Sequence, residues 1–153
     1  MPNDPQLSAR MQATLEILVK CAGAFVVKFG TFDPLGLVLT VDGKSTILDS
    51  AFIVSKHEPP ESFKGISGNK ANRKLEDLIR RTHQATPLAV AAMIYDARFR
   101  PVEGGKGGDA MIAHLEEKPG IAIRVITPYE VKDGKIALAQ RQISQHEHHF
   151  LAG

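Results

Sequence analysis

Leu35-Gly36-Leu37-Val38-Leu39-Thr40-Val41, then Asp42-Gly43, then Lys44-Ser45-Thr46-Ile47-Leu48, is the stretch on which the fold turns. Two β-rich runs flank an Asp-Gly pair, and a tight hairpin turn needs two residues that tolerate positive φ. Residues 35–48 therefore read as two antiparallel strands.

Upstream of the hairpin, Leu7, Met11, Leu15, Leu18, Ala22, Phe25 and Phe29 recur at alternating steps of four and three. That period puts all seven on one stripe of a helix. Asn3 or Asp4 is the expected N-cap, with Pro5 in the first turn and Gly30 as the stop. Gly23 weakens the interior of such a helix by about 1 kcal/mol, but the seven-position stripe favours a helix running through it.

Downstream, residues 55–69 hold Pro59, Pro60, Gly65 and Gly68 with few apolar groups, which reads as a flexible loop rather than a domain linker. A second helix starts at Asn69 or Asn72, turns Ala71, Leu75, Leu78, Ile79 and Thr82 inward, and stops before Pro87. Leu88 to Phe99 is nearly all apolar until Asp96, as in a central strand covered on both faces. Gly104 to Gly108 connects it to Ala110–Glu116. Lys118-Pro119-Gly120 turns the chain into Ile121–Val131, and Asp133-Gly134 makes a second tight hairpin into Lys135–Ile143.

The expectation is one globular α+β domain over residues 1–153, with element order αββαββββ. Two helices pack on a mostly antiparallel sheet of about six strands, and a His-rich tail spans 145–153. This order resembles the roadblock or profilin type of sandwich, in which a hairpin and a later three-strand meander form one sheet. The resemblance covers most of the chain and rests on element order, so it implies an arrangement and no function.

Composition narrows the class. The chain has 153 residues, 43% of them hydrophobic and 24% charged, enough to bury one core and unlike a disordered or collagenous chain. No run approaches the roughly 18 apolar residues of a membrane span, and Met1-Pro2-Asn3-Asp4-Pro5 lacks the features of a signal peptide, so a cytoplasmic location is expected. A single cysteine, Cys21, makes no internal disulfide and reads as a small residue beside the apolar stripe. The net charge of +2 conceals a local excess: residues 69–100 carry seven basic and three acidic groups.

Four groups of polar residues are candidates for chemistry. In Gln145-His146-Glu147-His148-His149, His146 and His148 share a strand face and could hold a divalent metal such as zinc or nickel, with His114 and Glu116 as further donors. The competing reading is a solvated tail. Lys70, Arg73, Arg80 and Arg81 could contact an anion or a partner. The absence of Trp and of interleaved aromatics argues against nucleic acid as a partner and favours a solvated helix face. Asp96, Arg98 and Arg100 lie on one strand face, as an ion-pair ladder or as a ligand site with Asp109 and Arg124. Glu76-Asp77 and Glu116-Glu117 read as surface charges, since consecutive carboxylates point apart. The Gly104–Gly108 run with Lys106 lacks the Walker pattern and reads as a mobile loop.

No residue set converges on a catalytic role. The sequence thus points first to a non-catalytic binding or scaffold domain acting through homodimerisation or a protein partner, with no membrane association. A metal-dependent or small-molecule-binding enzyme built on the histidine cluster is the second reading. Nucleic-acid or anion binding by the second helix is the third.

Overall fold

The computed structural model describes residues 7–49, 69–99, 108–118, 120–145 and 150–151. Among them the elements run α1 (Ala9–Phe29), β1 (Leu35–Thr40), β2 (Ser45–Asp49), α2 (Asn69–Ala85), β3 (Leu88–Phe99), β4 (Gly108–Glu117), β5 (Ile121–Lys132), β6 (Lys135–Leu138) and β7 (Gln142–Gln145). The fold is α+β in the expected order, with a seven-stranded antiparallel sheet. The loop expected near 55–69 and the glycine run up to Gly107 lie outside the described residues, Asn69 excepted.

The hairpin and the meander join into one sheet, because β1 pairs with β2 on one side and with β3 on the other. The order β2-β1-β3-β4-β5-β6 leaves β3 in the interior, as its apolar run requires. The two Asp-Gly turns differ. Asp133 (φ 52°) and Gly134 (φ 72°) are both left-handed, the pair a type I′ turn needs. At the first turn only Gly43 (φ 98°) is left-handed, and its N–H donates to the Thr40 carbonyl at 3.0 Å. The Thr40 hydroxyl also binds the Asp42 carboxylate and accepts from the Lys44 N–H at 2.9 Å, so side-chain bonds replace the second positive φ.

α1 continues through Gly23 to Phe29, and Gly30 (φ 84°) closes it by donating to the Val26 carbonyl at 2.8 Å. Its start differs from expectation. Ser8 is the N-cap, its hydroxyl accepting the Met11 N–H at 3.1 Å, so neither Asn3 nor Asp4 has that role and Leu7 precedes the helix.

The two helices cover opposite faces of the sheet. Met11, Leu15, Leu18, Ala22 and Val26 of α1 pack on Leu35, Leu37, Ala92, Ile94, Ala113, Leu115 and Val125. On the other face Leu75 and Ile79 of α2 pack on Val38, Ala91 and Met93, joined by Phe150 and Leu151. Gly36 lets α2 approach β1: a Cβ there would lie 3.3 Å from the Ala92 carbonyl oxygen and from Leu75 Cδ1.

The last strand is divided, where the sequence suggested one continuous run. Both β6 and β7 pair with the outer edge of β5, but Tyr129 faces Leu138 while Ile126 faces Gln142, so residues 139–141 contain one residue more than the stretch they pass. Pro128 supplies the cause. Its carbonyl accepts the Ala139 N–H at 2.8 Å, which places its ring nitrogen on the same edge, and that nitrogen has no hydrogen to donate.

No helix among the described residues is long and apolar enough to cross a membrane.

Candidate functional site

Among the described residues, three polar centres and a groove emerge from this frame. The first is at the α2 face of β4. Register places Met93, His114 and Arg124 side by side, with Glu116 two residues further on the same face. The Tyr95 hydroxyl lies 3.2 Å from His114 Nε2, and the two rings stack at 5.6 Å. Burial raises the Tyr95 pKa; the Arg124 charge opposes that shift and the Glu76 charge on α2 adds to it.

Glu116 was expected at the surface and is instead 2% exposed. Its carboxylate accepts the Phe150 N–H at 3.0 Å to each oxygen and the Leu151 N–H at 2.9 Å. A buried carboxylate needs such donors, and backbone N–H groups supply them here. Glu117 is also buried, on the opposite face, and binds Arg10 Nε at 2.9 Å. The two carboxylates do point apart, but the register that separates them drives one into each core.

These contacts bear on the metal reading. His114 and Glu116 do share a face, yet His114 neighbours a guanidinium across the strand pair and both Glu116 oxygens bind backbone donors. His146 and His148 lie outside the described residues. Among the described residues no group of three or more His, Cys, Asp or Glu side chains is arranged to hold a metal. The residues that follow the histidines are docked: Phe150 and Leu151 are each 3% exposed.

The second centre is Asp96, on the α1 face. Its carboxylate accepts the Thr31 hydroxyl at 2.6 Å and the Tyr129 hydroxyl at 2.7 Å, tying the chain after α1 to β3 and β5. Burial and the bond to Asp96 push the Tyr129 pKa up. Arg98 is the register partner of Asp109, but its side chain and the whole of Arg100 lie outside the described residues, whereas Arg124 belongs to the other face and does not join Asp96.

The third is the outer surface of α2. Arg80 binds Glu76 at 3.2 Å and Arg81 binds Asp77 at 3.2 Å, both one turn apart. Arg73 is exposed, and the side chain of Lys70 lies outside the described residues. The two carboxylates thus offset much of the local positive charge.

The groove lies between α1 and the gap that Pro128 opens in the edge strand. Its volume is about 660 Å³, within the range of small-ligand sites. Leu15, Val19, Leu138 and Ala139 form apolar walls, and Thr127, itself 5% exposed, brings in a hydroxyl. Lys20, Arg141, Glu16 and the amides of Gln12 and Gln140 complete the lining. Arg141 Nη2 reaches Gln12 Oε1 at 3.3 Å, and Gln12 Nε2 donates to Glu16 Oε1 at 2.9 Å.

No protein-family model, curated protein or solved structure matches this chain. Function therefore rests on geometry.

Sequence reasoning drew attention to the histidines and basic residues and passed over the groove. The signal available was Pro128 inside an otherwise β-rich run, since a proline there marks a strand edge that cannot be fully paired. It also passed over His83, whose Nδ1 accepts the Leu88 N–H at 3.0 Å and so ties the end of α2 to the start of β3.

Proposed function

We propose that this chain is a non-catalytic binding domain that works as a homodimer joined through the outer side of α1. The observation that carries this reading is a second stripe on that helix. Ala13, Ile17, Lys20, Ala24 and Val27 follow one another at steps of four and three, on the side away from the sheet. Ile17 is 44% and Val27 41% exposed, while the inner stripe from Met11 to Val26 is buried.

The stripe is complementary to itself. In an antiparallel two-fold pairing centred near Lys20, Ala13 lies level with Val27 of the partner subunit and Ile17 with Ala24 of the partner subunit. Each large side chain then meets a small one, which suits close helix packing. A non-catalytic role is supported by the use of the inward-facing carboxylates: the buried Glu116 binds backbone N–H groups, the buried Glu117 binds Arg10, and the half-buried Asp96 binds two hydroxyls.

Light scattering and native mass spectrometry on untagged protein test the reading. Wild type is expected at twice the chain mass at micromolar concentration. Replacing Ile17 and Val27 by Glu is expected to give a monomer with unchanged helix content. A monomeric wild type, or a double variant that stays dimeric, overturns it. The same spectra weigh the metal alternative by reporting any stoichiometric ion.

A further inference from the structure

We propose that the groove between α1 and residues 138–141 binds a small amphipathic carboxylate, with the apolar body against the groove walls and the carboxylate between Lys20 and Arg141. Binding there requires no second copy of the chain.

The site follows from the break in the edge strand. A continuous strand opposite Pro128 would lie against β5 and fill the space beside Leu15 and Val19. With no N–H at Pro128, the chain instead takes the extra residue in 139–141 and leaves a gap under α1. Leu15 and Val19 on one side and Leu138 and Ala139 on the other present apolar surface to that gap. A volume of about 660 Å³ equals roughly 22 waters at ~30 Å³ each, so a chain of about ten carbons fits with room to spare.

Charge selects the head group. Two cations, Lys20 and Arg141, line the groove with one carboxylate, Glu16, which already accepts the Gln12 amide at 2.9 Å. Among the described residues Arg141 reaches a neutral amide oxygen, at 3.3 Å. An ionised carboxylate is the stronger acceptor for a guanidinium, and it can take two N–H donors from Arg141 while Lys20 adds a third. The Thr127 hydroxyl offers a further polar contact deeper in the groove. A neutral ligand of the same shape would gain the apolar contacts alone, and a cationic one would meet Lys20 and Arg141.

Calorimetric titration with decanoate at submillimolar concentration, below micelle formation, tests the proposal, with decanol and decyltrimethylammonium as comparison probes. Decanoate is expected to bind once per chain, at least about tenfold tighter than decanol, with the cation weaker still. The double variant Lys20→Gln, Arg141→Gln is expected to reduce decanoate affinity about tenfold and leave decanol affinity unchanged. Ala139→Trp, at an exposed position where the ring fills the groove, is expected to remove binding of both while circular dichroism stays unchanged. Absence of saturable decanoate binding, equal affinity for decanol, or full binding by the Ala139→Trp variant overturns the proposal. A wild type that binds decanoate as a monomer supports it even if the dimer reading fails.

Discussion

Glu116 gives the most direct test of how the end of the chain is held. Its carboxylate binds two backbone donors, Phe150 N–H at 3.0 Å to each oxygen and Leu151 N–H at 2.9 Å. A hydrogen bond to a charged acceptor contributes about 1.5–3 kcal/mol net. The two side chains they carry are each 3% exposed, and full burial of an apolar side chain of that size contributes about 1.5–3 kcal/mol. Glu116→Gln keeps one acceptor oxygen but turns an NH2 group toward a backbone donor, so it is expected to cost about 2–3 kcal/mol. Glu116→Leu deprives two buried N–H groups of this acceptor and should cost about 2–5 kcal/mol. Ending the chain after His149 removes the apolar burial and takes both donors from a carboxylate that stays in the interior. The two perturbations damage one contact, so Glu116→Leu in the shortened chain should cost about 2–3 kcal/mol less than the sum of the separate effects. Urea unfolding at pH 7, followed by circular dichroism, measures all four corners of this cycle. Additivity within about 0.5 kcal/mol would show that Glu116 does not hold the segment, and a stable Glu116→Leu protein with Phe150 still docked would refute the reasoning outright.

Gly36→Ala should destabilise the protein by about 1–3 kcal/mol in thermal unfolding, because the new methyl meets the Ala92 carbonyl oxygen at 3.3 Å and Leu75 and Ile79 on the far side; a gain in stability would mean that α2 yields freely. His83 predicts a pH effect. Burial first, and then the Lys118 charge, hold its pKa below the ordinary 6.5, so the folded state favours the neutral ring whose Nδ1 accepts the Leu88 N–H. Its contribution is therefore complete above about pH 6.5 and is lost as pH falls through the lowered value. The urea midpoint should drop between pH 7.5 and 5, and His83→Gln should reduce that drop; an identical slope in the variant would rule His83 out as the source.

Periodicity made most of the fold legible. The 4-3 stripe of α1 outweighed Gly23 because four of its positions, Met11, Leu15, Leu18 and Ala22, are buried in one core, which far exceeds the roughly 1 kcal/mol that a helical glycine costs; its last two positions, Phe25 and Phe29, are exposed, and Val26 enters the core in their place. The apolar run of β3 marked it as central, and register confirms a partner on either side. Helix ends and turns were read less well, because they depend on single side-chain bonds. Ser8 wins the N-cap over Asn3 and Asp4 through one bond to Met11, and the Thr40 side chain replaces a positive φ at Asp42.

The site was harder to read because its residues acquire meaning only through register. Glu116 and Glu117 look like a surface pair, and alternation along a strand does send them apart. The sheet, however, has a core on each face, so alternation buries both instead of exposing one. Glu116 is tolerated there because the chain returns 34 residues later to give it backbone donors, a separation that no local pattern reveals. Pro128 acts in the same way. In the sequence it is one residue in a β-rich run, and its effect appears only when β5 is seen to need a partner on the edge where the proline has no N–H. The gap is then bounded by another part of the chain, the side of α1 that carries Leu15, Val19 and Lys20. That helix has its inner stripe in the core, one flank at the groove and its outer stripe exposed, so a single amphipathic period could not describe it. The inner stripe dominated the sequence pattern because most of its residues are large and apolar, whereas the outer stripe interrupts Ile17 and Val27 with Ala13, Lys20 and Ala24 and becomes visible only after the inner one has been assigned to the core.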